Sequence, residues 1–564
     1  MESWWRGAVI YQIYPRSFQD SDGDGVGDLP GILRRLDHVA DLGADAVWLS
    51  PIFPSPMLDM GYDVSDYTDI DPLFGSLADF DALLARAHQL GLKVIIDQVL
   101  SHTSDRHPWF IESRSSRVNP KADWYVWADP KRDGSLPNNW LAVFGGPAWD
   151  WDPTRRQYYL HNFLAAQPDL NLHNRAVQDA LLGVLRFWLE RGVDGFRLDT
   201  VNFYFHDADL RPNPPLRRQD AMPPVNPYEM QDHTRSRDQP DNIAFLKRMR
   251  ALLDSYGPDH VLLGEVGGAK HRALKVMADY TKGDDRLHMA YSFDMLGPEF
   301  DAGHFRSRLE TYVRAAPDGW PCWAFSNHDV IRHATRWAEH GSDRDALARQ
   351  TGALLLSLRG SVCLYQGEEL GLTEAELAFE ELTDPPGIRF WPDYKGRDGC
   401  RTPMPWDDAE AEAGFTSGKP WLPIKAPQRA DHVAGQVDDP DSILSFYRDM
   451  IAFRRAEPAL VRGPLRAFRA DEPVLAFERT PPAGGGAPVA AVFNLSPASV
   501  DVECRHFEAI EHAPAQAAEL GKSSLSLGPN GFAFLRPTKG AVRSRIRYRN
   551  GRSSGSAGQP AAAS

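Results

Sequence analysis

Cysteine is scarce: Cys322, Cys363, Cys400 and Cys504 are the 4 in 564 residues, far apart and never in CxxC spacing. So thin a set builds no disulfide framework, and reduced thiols in a cytoplasmic protein are the expectation. Positive charge is short as well. Lys and Arg number 62 against 77 Asp and Glu, a net −15, which speaks against a nucleic-acid partner. No run approaches the roughly 18 apolar residues of a membrane span. The opening stretch, 1–7, has no apolar h-region, so neither a signal peptide nor a membrane partner is expected. With 45 Gly, 44 Pro and 42% hydrophobic residues, the chain is neither collagenous nor disordered and can bury a large core. Aromatic residues, by contrast, are plentiful: 16 Trp, 17 Tyr and 27 Phe. Flat rings suit sugars, bases or peptides.

At about 150 residues per domain the length predicts three or four domains. Eight strand-like runs recur in order: Val9–Tyr14, Ala46–Ser50, Lys93–Leu100, Gly195–Val201, Val261–Val266, Met289–Asp294, Cys322–Asn327 and Ser361–Gln366. Amphipathic stretches such as Asp79–Leu90, Val177–Arg191, Asn242–Tyr256, Asp345–Leu358 and Ile443–Arg455 read as helices, with Gly192 stopping the second. Strand-then-helix units repeated eight times predict an α/β fold, a (β/α)8 TIM barrel. The barrel is expected over 1–102 and 173–460, interrupted at 103–172 by an inserted domain rich in Trp, Pro, Asn and Asp. A proline-rich stretch, Asn202–Asp241, reads as a rim or lid. Short β-type runs between turn residues predict a C-terminal antiparallel β-domain at 461–538. The segment 539–564 has no acids, six Lys or Arg and an SSGSAGQPAAAS end, and is expected to be disordered.

Barrel active sites form at the C-terminal strand ends. Those ends carry Asp97 and His102, Arg197 and Asp199, Glu265, His328 and Asp329, then Gln366-Gly-Glu-Glu369. One buried charge in a barrel is more often a structural ion pair than a catalyst. Several carboxylates at one mouth are different, because gathered like charges are costly unless used. Arg197 and Asp199 share a face, since side chains alternate along a strand.

These residues also carry a resemblance. Asp97-Gln-Val-Leu-Ser-His102, Gly195-Phe-Arg-Leu-Asp-Thr-Val-Asn-Phe203, Gly264-Glu-Val266 and Ser326-Asn-His-Asp329 resemble the four signature regions of family 13 glycoside hydrolases, the α-amylase superfamily. Gln167-Pro-Asp-Leu-Asn171 resembles the fifth region. That stretch and Arg397-Asp-Gly-Cys-Arg-Thr-Pro-Met-Pro-Trp406 are similar to the oligo-1,6-glucosidase and α-glucosidase group. The resemblance implies Asp199 as nucleophile, Glu265 as general acid and then base, and Asp329 as stabiliser of the oxocarbenium-like state. It implies Arg197 positioning Asp199, and His102 and His328 holding hydroxyls of the −1 glucose. It also implies Tyr62 under the sugar, Phe144 and Phe163 as aromatic walls, and Asp59 with Arg397 closing the non-reducing end. Thr200 stands where the group carries Val for α-1,6 and Thr or Ala for α-1,4 bonds.

Asp20, Asp22, Asp24 and Asp28, with the Val26 carbonyl, form a candidate metal loop. Alternating carboxylates resemble the start of an EF-hand, but position twelve is Gly31, not Glu, so it is no EF-hand. Matching loops in the family imply structural Ca2+, with Mg2+ the alternative, and no organic cofactor. A GxSxG pattern at Gly551–Gly555 has no strand before it, and Gly23, Gly25 and Gly27 do not make GxGxxG. The expectation is a retaining exo-acting α-glucosidase, monomeric or homodimeric, acting on small α-glucosides and on hydroxyl acceptors. Its rivals are an oligo-1,6-glucosidase, a trehalose- or sucrose-converting enzyme, and a non-catalytic transporter-associated relative that would lack the catalytic carboxylates.

Overall fold

The computed structural model describes residues 3–216, 222–268, 270–468, 470–538 and 545–548. Three strands precede the insertion: β1 (Val9–Ile13), β2 (Ala46–Leu49) and β3 (Lys93–Gln98). Inside it lie β4 (Trp127–Ala128), β5 (Trp149–Asp152) and β6 (Gln157–Leu160), a small sheet in the order β4-β6-β5. After it come β7 (Gly195–Leu198), β8 (Val261–Val266), β9 (Met289–Ser292), β10 (Cys322–Trp323) and β11 (Ser361–Tyr365). The order β10-β11-β1-β2-β3-β7-β8-β9 is closed by a parallel bridge from Ala290 to Pro321, at the entry to β10. This is the expected TIM barrel. Strand β10 is shorter than the predicted run to Asn327, because the chain leaves the sheet to present His328 and Asp329.

Alternation explains why these strands read as continuous apolar runs. One face fills the barrel: Ile10, Trp48, Ile95, Leu263, Met289, Tyr291 and Cys363 form a single buried cluster. The other face, including Val9, Tyr11, Val47, Val94, Phe196, Leu262 and Val362, packs on the surrounding helices. Both faces are dry, as parallel sheets require. The five expected helices are present as Leu77–Gln89, Arg175–Arg191, Asn242–Asp254, Arg344–Ser357 and Ile443–Ala456. Gly192, at φ 103°, ends the second in the left-handed conformation. Leu29–Leu42, Lys270–Thr281 and Ala302–Ala315 add to the ring. The last buries a thin stripe, Ala302, Phe305, Leu309 and Tyr312, which is why its period is faint in the sequence.

The C-terminal sheet comprises β12 (Leu465–Ala467), β13 (Val474–Arg479), β14 (Val489–Asn494), β15 (Val500–Arg505), β16 (Phe507–Ala509), β17 (Gln516–Leu520), β18 (Ser524–Pro537) and β19 (Arg545–Arg547). Its pairings are antiparallel. Aromatic contacts of Phe446 with Phe532 and Phe453 with Phe534, at 6.0 and 5.1 Å, seat it on the barrel helix Ile443–Ala456. One expectation needs correcting. Residues 545–547, inside the segment read as disordered, form β19 beside β15, because Ile546 supplies an apolar side chain that is buried in the sheet. The rest of that segment, 539–544 and 549–564, lies outside the described residues. Among the described residues no helix is long and apolar enough to cross a membrane.

Candidate active site

Register brings the charges together before any loop is considered. Arg197 on β7 is paired in register with Asp97 on β3 and Leu263 on β8, and Glu265 on β8 with Tyr291 on β9. All five point into the barrel mouth or the layer beneath it. The buried Arg197 guanidinium donates from Nη1 to Asp97 Oδ1 at 2.8 Å and to Asp199 Oδ1 at 2.7 Å. Its Nη2 reaches Glu265 Oε1 at 2.6 Å and the Tyr291 hydroxyl at 2.9 Å. Trp48 packs its ring 4.8 Å from the same guanidinium. Thr200 follows the nucleophile candidate at φ 38°, a left-handed conformation costly for a β-branched residue. That bend lets its N–H donate to Glu265 Oε2 at 3.0 Å and its hydroxyl to Asp199 Oδ2 at 3.1 Å. Asn202 then ties the loops after β7 and β8, donating to Gly267 O at 2.8 Å and accepting from Gly267 N at 3.1 Å.

The second half of the site is assembled by Arg397. Its Nη1 donates to Asp329 Oδ1 at 3.0 Å, and its Nη2 to Asp59 Oδ1 at 2.9 Å and Asp384 Oδ1 at 2.7 Å. Arg401 adds a bond to Asp329 Oδ1 at 3.0 Å and one to the His328 carbonyl at 2.8 Å. Phe144 lies 4.9 Å from the Arg397 guanidinium and 5.6 Å from Phe163, which is itself 5.2 Å from His102. Tyr62 stacks on His328, with centroids 5.4 Å apart, and its hydroxyl bonds Asp97 Oδ2 at 3.1 Å and His328 Nε2 at 2.6 Å. Gln167 joins Asp59 Oδ2, at 3.0 Å, to His102 Nε2, at 3.2 Å.

Electrostatics separates these carboxyls. Burial raises Glu265 to about 7, with Arg197 opposing and the charges of Asp199 and Asp329 adding to the rise. Burial also raises Asp199 to about 7 against the pull of Arg197. The two carboxyls, both in contact with one guanidinium, therefore keep a proton between them near neutrality. Asp329 differs. Burial alone would raise it, but the permanent charges of Arg397 and Arg401, with Arg197 adding to them, outweigh that and hold it well below the usual range, so it stays ionised. Burial lowers His102 to about 4 and His328 to about 3, leaving both neutral hydrogen-bonding groups.

Each of the twelve catalytic and substrate residues named from the sequence thus lies in one connected network. The acids in the turn beyond β11, Glu368 and Glu369, do not. Glu369 accepts from Tyr11 at 2.7 Å and His38 at 2.9 Å behind the strands, and Glu368 is held up at about 8 by burial. Four contributors were not singled out: Tyr291, Arg401, Gln167 and Asp384. Strand alternation from Met289 offers a signal for Tyr291; Asp384, in a loop after β11, offers none. In the acidic loop, Asp20, Asp22 and Asp28 converge, each with a ligand atom within 4.8 Å of the others. Asp24 is not in that group; its Oδ1 accepts from Val26 N at 2.8 Å.

The arrangement is that of a carboxylate-dependent glycoside hydrolase built on a TIM barrel. Residues 12–463 match the alpha amylase catalytic domain, and the chain belongs to the α-amylase family. It is 59% identical over 498 residues to the probable alpha-glucosidase of Rhizobium meliloti (strain 1021), covering 87% of this chain and 89% of that one. To the oligo-1,6-glucosidase of Heyndrickxia coagulans it is 37% identical over 511 residues, 84% of this chain and 89% of the other. Among solved structures, the alpha-glucosyl transfer enzyme XgtA matches with TM-score 0.91 at 54% identity, over 95% of this chain and 100% of that one. The trehalulose synthase MutB from Pseudomonas mesoacidophila MX-45 matches with TM-score 0.83 at 32% identity, over the same shares.

Proposed function

We propose that the enzyme is a retaining, exo-acting α-glucosidase that prefers α-1,4 bonds and also transfers glucose to hydroxyl acceptors. One observation carries the reading: Arg197 and Thr200 each contact both Asp199 and Glu265. Retaining enzymes hold their two carboxyls about 5 Å apart, one as nucleophile. In the first step ionised Asp199 attacks the anomeric carbon while Glu265 delivers its proton to the departing oxygen. In the second, Glu265 takes a proton from water or an acceptor hydroxyl, whose oxygen displaces Asp199. Asp329, kept anionic, faces the charge that develops on the ring. The Arg397 bridge from Asp59 to Asp329 makes a pocket for a terminal glucose rather than an open cleft. Tyr62, Phe144 and Phe163 line it, with the buried His328 packed against Tyr62 and the buried His102 against Phe163.

We further propose that Asp20, Asp22 and Asp28 hold a structural Ca2+. Supporting this, three carboxylates converge with no cation from the protein beside them among the described hydrogen bonds, and crowded oxygens of this kind suit a hard divalent ion. Buried cysteine thiols at all four positions suit a reducing cytoplasm. The test of function is product analysis with maltose, isomaltose, sucrose and trehalose, with and without an added alcohol, on wild type and Thr200→Val. Glucose and alkyl α-glucoside from maltose are expected, with Thr200→Val moving the maltose-to-isomaltose preference by about 1–3 kcal/mol toward isomaltose. Isomeric disaccharides as the main product from sucrose would instead favour the sucrose-converting alternative. Equal use of maltose and isomaltose by wild type would remove the Thr200 argument.

A further inference from the structure

From the geometry around Arg397 we infer that Asp384 is a positioning residue, the fixed counter-ion that makes the glucose pocket closed. The inference rests on the proposed role of Arg397 at the non-reducing end and deepens it. Arg397 touches three carboxylates, but they are not equivalent. Asp59 lies on the loop after β2 and Asp329 on the loop after β10, and both face the mouth. Asp384 is fully buried and takes no part in lining the pocket. It accepts three bonds from Arg397: the backbone N at 2.8 Å, Nε at 3.1 Å and Nη2 at 2.7 Å.

Asp384 is itself held. Asp398, the residue after Arg397, accepts from Asp384 N at 2.8 Å, Thr383 N at 2.6 Å and the Thr383 hydroxyl at 2.9 Å. The loop therefore folds back on the arginine it serves. Gly396 allows that approach: it sits at φ 79°, and a Cβ there would lie 2.6 Å from Asp384 Oδ2. These contacts fix the guanidinium without using the mouth-facing carboxylates. When a glucose enters, Asp59 and Asp329 can turn to its hydroxyls while Asp384 keeps Arg397 neutralised and in place. Without Asp384, the buried cation depends on Asp59 and Asp329 alone, and the substrate must compete for them.

The expectation is a binding defect specific to the terminal sugar end. Asp384→Asn is assayed with an aryl α-glucoside and its 4-deoxy counterpart, beside wild type and Arg397→Ala. KM for the glucoside rises by about 10-fold with a smaller change in kcat, and the glucoside-over-4-deoxy preference falls by about 10-fold. Arg397→Ala loses the same preference, and Asp384→Glu, which keeps the charge, recovers part of it. Should Asp384→Asn not fold, Thr383→Val, which removes one anchoring hydroxyl, is expected to move the preference in the same direction by less. Equal losses on both substrates in Asp384→Asn mean a merely structural residue and overturn the inference, as does preference lost in Arg397→Ala but kept in Asp384→Asn. Preference intact in Arg397→Ala overturns the closed-end reading of Arg397, and the inference with it.

Discussion

Tyr291 offers a direct test of how the acid carboxyl is tuned. Its hydroxyl donates to Glu265 Oε1 at 2.9 Å while accepting from Arg197 Nη2 at 2.9 Å, and all three side chains are buried. A hydrogen bond to a charged group is worth roughly 1.5–3 kcal/mol, and 1.36 kcal/mol corresponds to one pKa unit. Tyr291→Phe deletes a donor that favours ionised Glu265, so it raises that carboxyl by about 1–2 units from its value of about 7. The lower end is expected, because Arg197 Nη2 remains 2.6 Å from Oε1. Glu265 must be protonated to act as acid, so the basic limb of kcat/KM against pH moves upward by about one unit. Asp199 makes no hydrogen bond to Tyr291, and its limb moves little, or slightly downward as Glu265 retains the shared proton more firmly. The profile therefore broadens. Maltose is the substrate of choice, since its poor leaving group needs the proton. A basic limb that stays put or moves down refutes the assignment of Glu265 as the acid tuned by this hydroxyl.

Two further outcomes follow from the same charges. Burial holds Asp199 near 7 instead of the ordinary 3.8. Its folded pKa is thus raised, the native state binds more protons than the unfolded one between about pH 4 and 7, and stability falls as pH rises through that window. Asp199→Asn removes this loss while Asp97 and Glu265 remain as counter-ions of Arg197. The variant is expected to be inactive yet more stable than wild type at pH 8, and no more stable near pH 4. Denaturant melts at the two pH values decide it, and an Asn variant weaker than wild type at pH 8 contradicts the sign. For the acidic loop, a chelator is expected to lower Tm, and Asp20→Asn to abolish that response. Calcium at 1,000 times its Kd would supply about 4 kcal/mol, and a wild-type Tm indifferent to both chelator and added calcium removes the ion from the loop.

What could be read from the sequence was set by distance from a strand. Asp97, Arg197, Asp199 and Glu265 sit on or just beyond strands, where a period of two fixes which side chains share the barrel interior, and register then fixes who touches whom. His328 and Asp329 follow a strand too short to predict in full, yet the Ser326–Asp329 motif marked them. Glu368 and Glu369 show the limit of that logic. They lie farther past β11 than Asp199 lies past β7, and the chain has already turned into a helical bend that sends them behind the sheet, toward Tyr11, His38 and Tyr447. Asp384 lay beyond any periodic signal, in a loop whose path is set by Asp398 and Gly396 rather than by a repeating pattern. At Arg397 a structural ion pair and contacts at the mouth meet in one residue. Asp384 supplies the structural pair, Asp59 and Asp329 supply contacts that face the mouth, and one guanidinium with five donors has enough for both. A planar fork that keeps one carboxylate while the others turn to a ligand cannot be replaced by the single ammonium of lysine. Arginine at 397 is thus required by the number of partners it must hold at once, not by its charge.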